Sequence, residues 1–252
     1  MSFKKILFGL FTASTLFAYE QMPQNASHGN FIDQDKWKNL DPNWIYCESG
    51  YNQNFLNLHT KNAKHSQNLS LGFNYTNDSF GLINDGYTIK MHFASNGSHI
   101  LLNDTIYHLS HFHFHAPSKV SIDKKTYPLE VHFSHVSQKG DVVVVVLFLQ
   151  EGVENPFIKK IMRAFPKKEG DKLYVQGLNA NELLPNSTHD FYLFKNKLNK
   201  PCQQKITWVV LKETSHASKE QIQTIQVLMG KNNELKTEEI QTLKQSDHSS
   251  SK

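Results

Sequence analysis

The chain reads as one mainly β domain, and three observations carry that reading. Aromatic residues make up 12% of it, with 17 Phe and 9 Tyr, and such residues suit a pleated, half-buried surface. Alternation of apolar and polar residues recurs at 55–58, 88–93, 105–115 and 129–135, the period of a strand with one buried face, and a further strand-like run spans 141–150. Turn signals separate these runs: Asn84-Asp85-Gly86, Ser95-Asn96-Gly97, Ile122-Asp123-Lys124-Lys125 and Gln138-Lys139-Gly140.

Each element follows from its local chemistry. Residues 142–146 are apolar without alternation, which predicts a strand buried on both faces. Asn155-Pro156 opens a helix through about Phe165, with Pro at the first helical position. Ser218 caps a second helix, with Gln221 three residues on as in a capping box, and Gly230 ends it. Residues 206–211 form a late strand, and 245–252 are a polar, Ser-rich, disordered tail. A length of 252 residues needs no second domain, so 19–244 is taken as one.

Residues 1–18 are set apart. Lys4 and Lys5 precede an apolar run over 6–17 that ends at Ala18, the pattern of a secretory signal peptide. The rival, an uncleaved anchor, needs a longer run to span a bilayer. The mature chain is therefore expected to be exported, periplasmic or secreted, with no membrane span. In an exported chain the pair Cys47 and Cys202 favours a disulfide over two buried thiols. It would close a loop of roughly 150 residues, contributing on the order of 4–5 kcal/mol. The net charge is +4 with scattered basic residues, which leaves no footprint for nucleic acid. The oligomeric state is not written in the sequence.

The chemistry concentrates in two segments. In His111-Phe112-His113-Phe114-His115 strand alternation puts three imidazoles on one face and two phenyl rings on the other. In Glu130-Val131-His132-Phe133-Ser134 it aligns Glu130, His132 and Ser134. The connection over 119–127 is short enough for a hairpin, which lays the strands side by side and lets His132 meet His113 and His115. Exposed or core histidines are the bland alternative, but a row of imidazoles on one strand face calls for a stronger reason. Three neutral imidazoles with one open position make a catalytic zinc arrangement, not a closed structural one. Glu130 and His111 stand where groups that orient such ligands belong.

His113-Phe114-His115-Ala116-Pro117-Ser118 followed by Tyr127-Pro128-Leu129-Glu130-Val131-His132-Phe133 resembles the signature of the alpha-class carbonic anhydrases, bacterial exported members included. The resemblance covers most of 37–230. Trp37 with Cys47-Glu48-Ser49-Gly50 is similar to the family's N-terminal stretch, and Pro201-Cys202 with Thr207-Trp208 to the segment closing its site. The resemblance implies a large, twisted, mostly antiparallel sheet with a few short peripheral helices and a conical cavity. It implies zinc on His113, His115 and His132, with Glu130 orienting His132 and His111 supporting another ligand. It also implies a pocket wall of Ser134, Val144, Leu198 and Trp208, and a Cys47–Cys202 disulfide. The implied reaction is reversible hydration of carbon dioxide to bicarbonate and a proton by zinc-hydroxide attack.

Three positions depart from that pattern. Lys119 stands where the family has an acid. The segment Lys197-Leu198-Asn199-Lys200-Pro201-Cys202 lacks the Thr that aims the hydroxide, leaving the Asn199 side-chain oxygen as the replacement acceptor. Tyr87 occupies the place of the proton-shuttle histidine and titrates too high for that task; His92, His99 and His108 are the substitutes. A buried Lys119 cation beside a metal is unfavourable, so its side chain is expected to swing to solvent. A non-catalytic zinc- or ligand-binding relative and another zinc hydrolase are the alternative functions.

Overall fold

A computed structural model describes residues 55–66, 69–84, 89–93, 97–168, 171–197, 205–229, 237–240 and 243–246. The first ten strands are β1 (Phe55–Leu58), β2 (Ala63–Ser66), β3 (Leu71–Asn74), β4 (Asn77–Asn84), β5 (Ile89–Phe93), β6 (His99–Leu102), β7 (Thr105–His115), β8 (Val120–Ile122), β9 (Leu129–Ser137) and β10 (Val142–Glu151). Helix α1 (Pro156–Met162), β11 (Lys172–Asn179), β12 (Phe191–Lys197), β13 (Lys205–Leu211), β14 (Ser215–Ala217), α2 (Lys219–Met229), β15 (Thr237–Ile240) and β16 (Leu243–Ser246) follow. The fold is mostly β, as expected. Among the described residues its main sheet has 13 strands, with the order β11-β4-β5-β7-β9-β10-β13-β12-β16-β2 along its longest path. Most pairings are antiparallel, but β13 and β14 run parallel to β10, and β16 parallel to β2. A smaller sheet of order β15-β1-β8 is parallel throughout.

The central strands are buried on both faces, and their alternation sorts side chains into two clusters. Phe112, Phe114, Val131, Phe133, Val143, Val145 and Leu147 pack on one side with Phe157 and Ile161 of α1 and Ile225 of α2. Val144, Val146, Phe148, Trp208 and Val210 pack on the other. The continuous valine run of β10 thus fills both faces at once. Phe112 rests against Phe133 and Phe157 at ring separations of 5.3 and 5.7 Å, which pins β7 and β9 to α1.

Both helix starts form as their sequences predict. The Asn155 side chain accepts hydrogen bonds from the amides of Phe157 and Ile158 at 3.0 and 3.1 Å. At α2 the Ser218 amide donates to Gln221 Oε1 and the Gln221 amide to Ser218 Oγ, at 3.0 and 3.2 Å, a reciprocal capping box.

Several expectations are corrected. Helix α1 stops at Met162, not Phe165, because Arg163 turns its amide to Ile161 and Phe165 folds into the core. The connection over 119–127 is not a plain hairpin. It contributes β8 to the small sheet and then reverses through Asp123 and Lys124, both left-handed at φ 49° and 68°, as a two-residue reversal of primed type requires. Asn57 Oδ1 accepts from the Lys124 amide at 2.8 Å and from Ser121 Oγ at 2.9 Å, which anchors that turn. Gln245 and Ser246, assigned to the tail, complete β16, where Ser246 Oγ accepts from the Phe191 amide at 3.0 Å. Residues 1–54, Gly230 and 247–252 lie outside the described residues.

Candidate metal centre

The register of the central strands builds the site. Strand β7 is irregular between Leu109 and His111, and beyond that point its alternation is regular. His113 then pairs directly with His132, His115 with Glu130, and His111 with Ser134. The same rows continue across the sheet. Lys90 and His92 of β5 face His113 and His111, Val146 and Val144 of β10 face His132 and Ser134, and Trp208 of β13 faces Val144. Imidazoles therefore enter from one side of the face and apolar side chains from the other.

His113, His115 and His132 converge, one ring nitrogen from each lying within 4.8 Å of the others. Their ring centroids are 4.6 to 5.2 Å apart. All three are buried, His113 and His132 at 1% exposure. Burial first, then the charge of neighbouring imidazoles, holds His113 and His115 well below the ordinary histidine range. Both are consequently neutral at neutral pH and carry a lone pair.

Tautomers follow from the partners. Glu130 Oε1 meets His132 Nε2. A carboxylate accepts, so Nε2 carries the proton and Nδ1 keeps its lone pair. His132 Nδ1 is buried with no hydrogen-bond partner among the described residues, and His113 Nε2 faces His115 Nε2 at 3.1 Å. Three lone-pair donors from neutral imidazoles, one of them otherwise orphaned, fit a zinc ion. Glu130 cannot swing away: its Oε2 accepts from the Lys119 and Val120 amides at 2.5 and 3.0 Å.

His111 stacks on His113 at 5.8 Å and leans on His92 at 5.4 Å. Ser134 is fully buried in the next position of that row. Trp208 meets His132 edge to face at 5.4 Å and is itself backed by Phe194 at 6.0 Å, a residue that sequence reasoning missed. The period-two pattern of Tyr192 and Phe194 was the available signal. Leu198, Asn199, Tyr87, Cys47 and Cys202 lie outside the described residues.

Lys119 overturns its expectation. It is buried at 9% exposure and does not swing to solvent. Its backbone is clamped, since its amide holds Glu130 and its carbonyl accepts from the Leu56 amide at 2.9 Å. Burial lowers the pKa of its ammonium while the Glu130 charge raises it.

Comparison with known proteins agrees with this geometry. The sequence pattern of the family described as eukaryotic-type carbonic anhydrase matches residues 32–245. A carbonic anhydrase of Pectobacterium carotovorum is 33% identical over 198 residues, covering 78% of this chain and 80% of that one. The alpha-carbonic anhydrase of Thermovibrio ammonificans, solved with the inhibitor sulfanilamide, superposes with a TM-score of 0.71 at 27% identity, over 88% of this chain and 98% of that one. A dioscorin complexed with ascorbate shares the fold at a TM-score of 0.69 and 22% identity, over 87% of this chain and 95% of that one. With the family pattern running through β7 and β9, where the three histidines and Glu130 stand, this chain belongs to the eukaryotic-type, or alpha, carbonic anhydrase family as a divergent member.

Proposed function

We propose that the chain is a zinc-dependent carbonic anhydrase that hydrates carbon dioxide reversibly to bicarbonate and a proton. The observation that carries this reading is the meeting of three buried imidazoles on β7 and β9, with Glu130 behind His132, in a chain of this family. His113, His115 and His132 would hold the zinc, which when bound would supply a water acidic enough to ionise near neutral pH.

The chain's own groups do the rest. Glu130 keeps the His132 proton on Nε2 and so keeps Nδ1 available. His111, packed on His113, holds that ring in place. Val144 and Trp208 give an apolar wall beside the ligands, which suits a small apolar substrate; Leu198 is assigned to the same wall. Asn199 is assigned as the acceptor that replaces the missing Thr. His92, half-buried and ring to ring with His111, is the group we assign to take up the released proton, in place of Tyr87. The basic and apolar start of the chain supports export to the periplasm or beyond, and Cys47 with Cys202 a disulfide. No helix among the described residues is long and apolar enough to cross a membrane.

A second reading, a non-catalytic zinc- or ligand-binding relative, draws on one observation, the buried Lys119 where the family has an acid. Stopped-flow hydration of carbon dioxide separates the two. The zinc-loaded protein is expected to be active and its metal-stripped form inactive. Its rate should fall below that of relatives with the Thr and acid intact by about 10²–10³-fold, the usual effect of losing one positioned hydrogen-bonding group. Stoichiometric zinc with no hydration above buffer favours the second reading. His92→Ala should lower turnover about tenfold in dilute buffer, with recovery on adding imidazole; a rate that ignores both changes removes His92 from the proton path.

A further inference from the structure

Ser134 carries a hydroxyl into the wall beside the three histidines, and the proposed reaction leaves it unused. Alternation along β9 puts its side chain on the face of His132, two residues away, while Phe133 turns to the opposite core. Across the sheet it pairs with His111 on one side and Val144 on the other. Val144 pairs in turn with Trp208, whose ring meets His132 at 5.4 Å. Ser134 is thus enclosed between the ligand row and the apolar wall, at 0% exposure.

Its oxygen has no hydrogen-bond partner among the described residues. Other buried serines behave differently. Ser98 Oγ accepts from the Thr76 amide at 3.1 Å. Ser118, Ser137 and Ser246 accept in the same way from the amides of Tyr127, Asp141 and Phe191, each at 3.0 Å. A buried hydroxyl without a partner destabilises a fold, and an apolar side chain would line the same wall without that cost. The partner that the chain does not supply must come from what the wall surrounds.

Resting on the zinc reading of the site, we propose that Ser134 is a specificity-determining residue. Its hydroxyl donates to an oxygen of a small carboxylate, bicarbonate included, held at the metal centre. The ligand class follows from the two neighbours. The centre draws one end of a small anion, and the hydroxyl needs an acceptor beside the wall. A carboxylate has an oxygen for each, whereas a monatomic anion has no second acceptor. A few polar groups in an otherwise apolar site decide which ligand fits and how it lies. One hydrogen bond to a charged acceptor is enough to change affinity by about tenfold. Bicarbonate is the product of the proposed reaction, so Ser134 holds product against the wall.

The experiment compares the full chain with Ser134→Ala, which loses the hydroxyl, and Ser134→Thr, which keeps it on a side chain suited to a strand. Formate and iodide are titrated into the cobalt-substituted proteins at one fixed pH and read by visible absorption. Charges around the centre, such as Lys90 across from His113, act on both anions alike, so the ratio of the two affinities isolates the hydroxyl. Ser134→Ala is expected to weaken formate about tenfold and to leave iodide within about twofold, with formate on Ser134→Thr within about threefold of the unaltered chain. The metal-free Ala variant should be at least as stable to urea as the unaltered chain, since nothing inside the chain loses a bond. Formate and iodide affinities that change together, or not at all, overturn the inference and leave the zinc reading standing. An Ala variant that loses stability to urea, or does not fold, overturns it as well, because the hydroxyl then has its partner inside the chain. Failure of the unaltered chain and both variants to take up cobalt overturns the inference and the zinc reading together.

Discussion

Glu130→Gln is expected to weaken zinc binding by about 10–100-fold, the usual range for a group that orients a ligand, and His132→Ala to weaken it further. The carboxylate has two acceptor ends and both are in use, Oε1 on His132 Nε2 and Oε2 on the Lys119 and Val120 amides. An amide has only one acceptor end. With its oxygen toward the two backbone amides, its NH2 group meets His132 Nε2. The ring then accepts there and carries its proton on Nδ1, the atom a metal needs. Turned the other way, the NH2 group opposes two buried N–H donors. Either arrangement leaves a buried polar group unsatisfied, at a cost of about 1–3 kcal/mol in stability as well. Chelator competition reads the affinity and urea unfolding the stability. A Gln variant that holds zinc as tightly as the unaltered chain would show that His132 coordinates without help.

The metal-free protein is expected to lose stability steeply between pH 6.5 and pH 3. His135 lies on the face of β9 opposite the metal centre, fully buried, stacked on Tyr75 at 5.9 Å with its Nε2 at 2.9 Å from the Tyr75 hydroxyl. Burial pushes its pKa down to about 3, partly offset by the backbone of Val143 and Phe133. In the unfolded chain it titrates near 6.5. Between those values the unfolded state binds a proton that the native state refuses, so stability is complete above pH 6.5. It falls by about 1.4 kcal/mol per pH unit as pH drops through the window. His111, His113 and His115, all pushed well below the ordinary range chiefly by burial, add slope of the same sign. Unfolding free energies of the metal-stripped protein, read from urea titrations at pH 7.5 and pH 5, should therefore differ by about 2 kcal/mol or more. His135→Phe, apolar and of similar size, should flatten part of the curve. Stability that is level across the window would mean that these rings are solvated in the native state.

What the sequence disclosed and what it hid follow one rule. Where a strand's alternation comes from burial on a sheet face, the sequence carries it. His111 to His115 and Glu130 to Ser134 were legible because Phe112, Phe114, Val131 and Phe133 mark the opposite face. The capping residues Asn155 and Ser218 were legible because one side chain does a local task. Short strands such as β2 and β16, Ala-Lys-His-Ser and Leu-Lys-Gln-Ser, were not, because mostly polar runs gain their pairing from partners far away in the chain. The role of 119–127 was hidden for a related reason: it depends on Leu56 and Asn57, more than 60 residues earlier, which draw β8 into the small sheet and bury Lys119 on the way. Intrinsic charge favours a solvated lysine, and tertiary clamping overrode it.

Zinc K-edge X-ray absorption on the reconstituted protein tests the metal centre most directly. Three imidazole nitrogens and one further light donor are expected at about 2.0–2.1 Å, with one zinc per chain. A sulfur shell near about 2.3 Å, or fewer than three imidazoles, would contradict the site that β7 and β9 build.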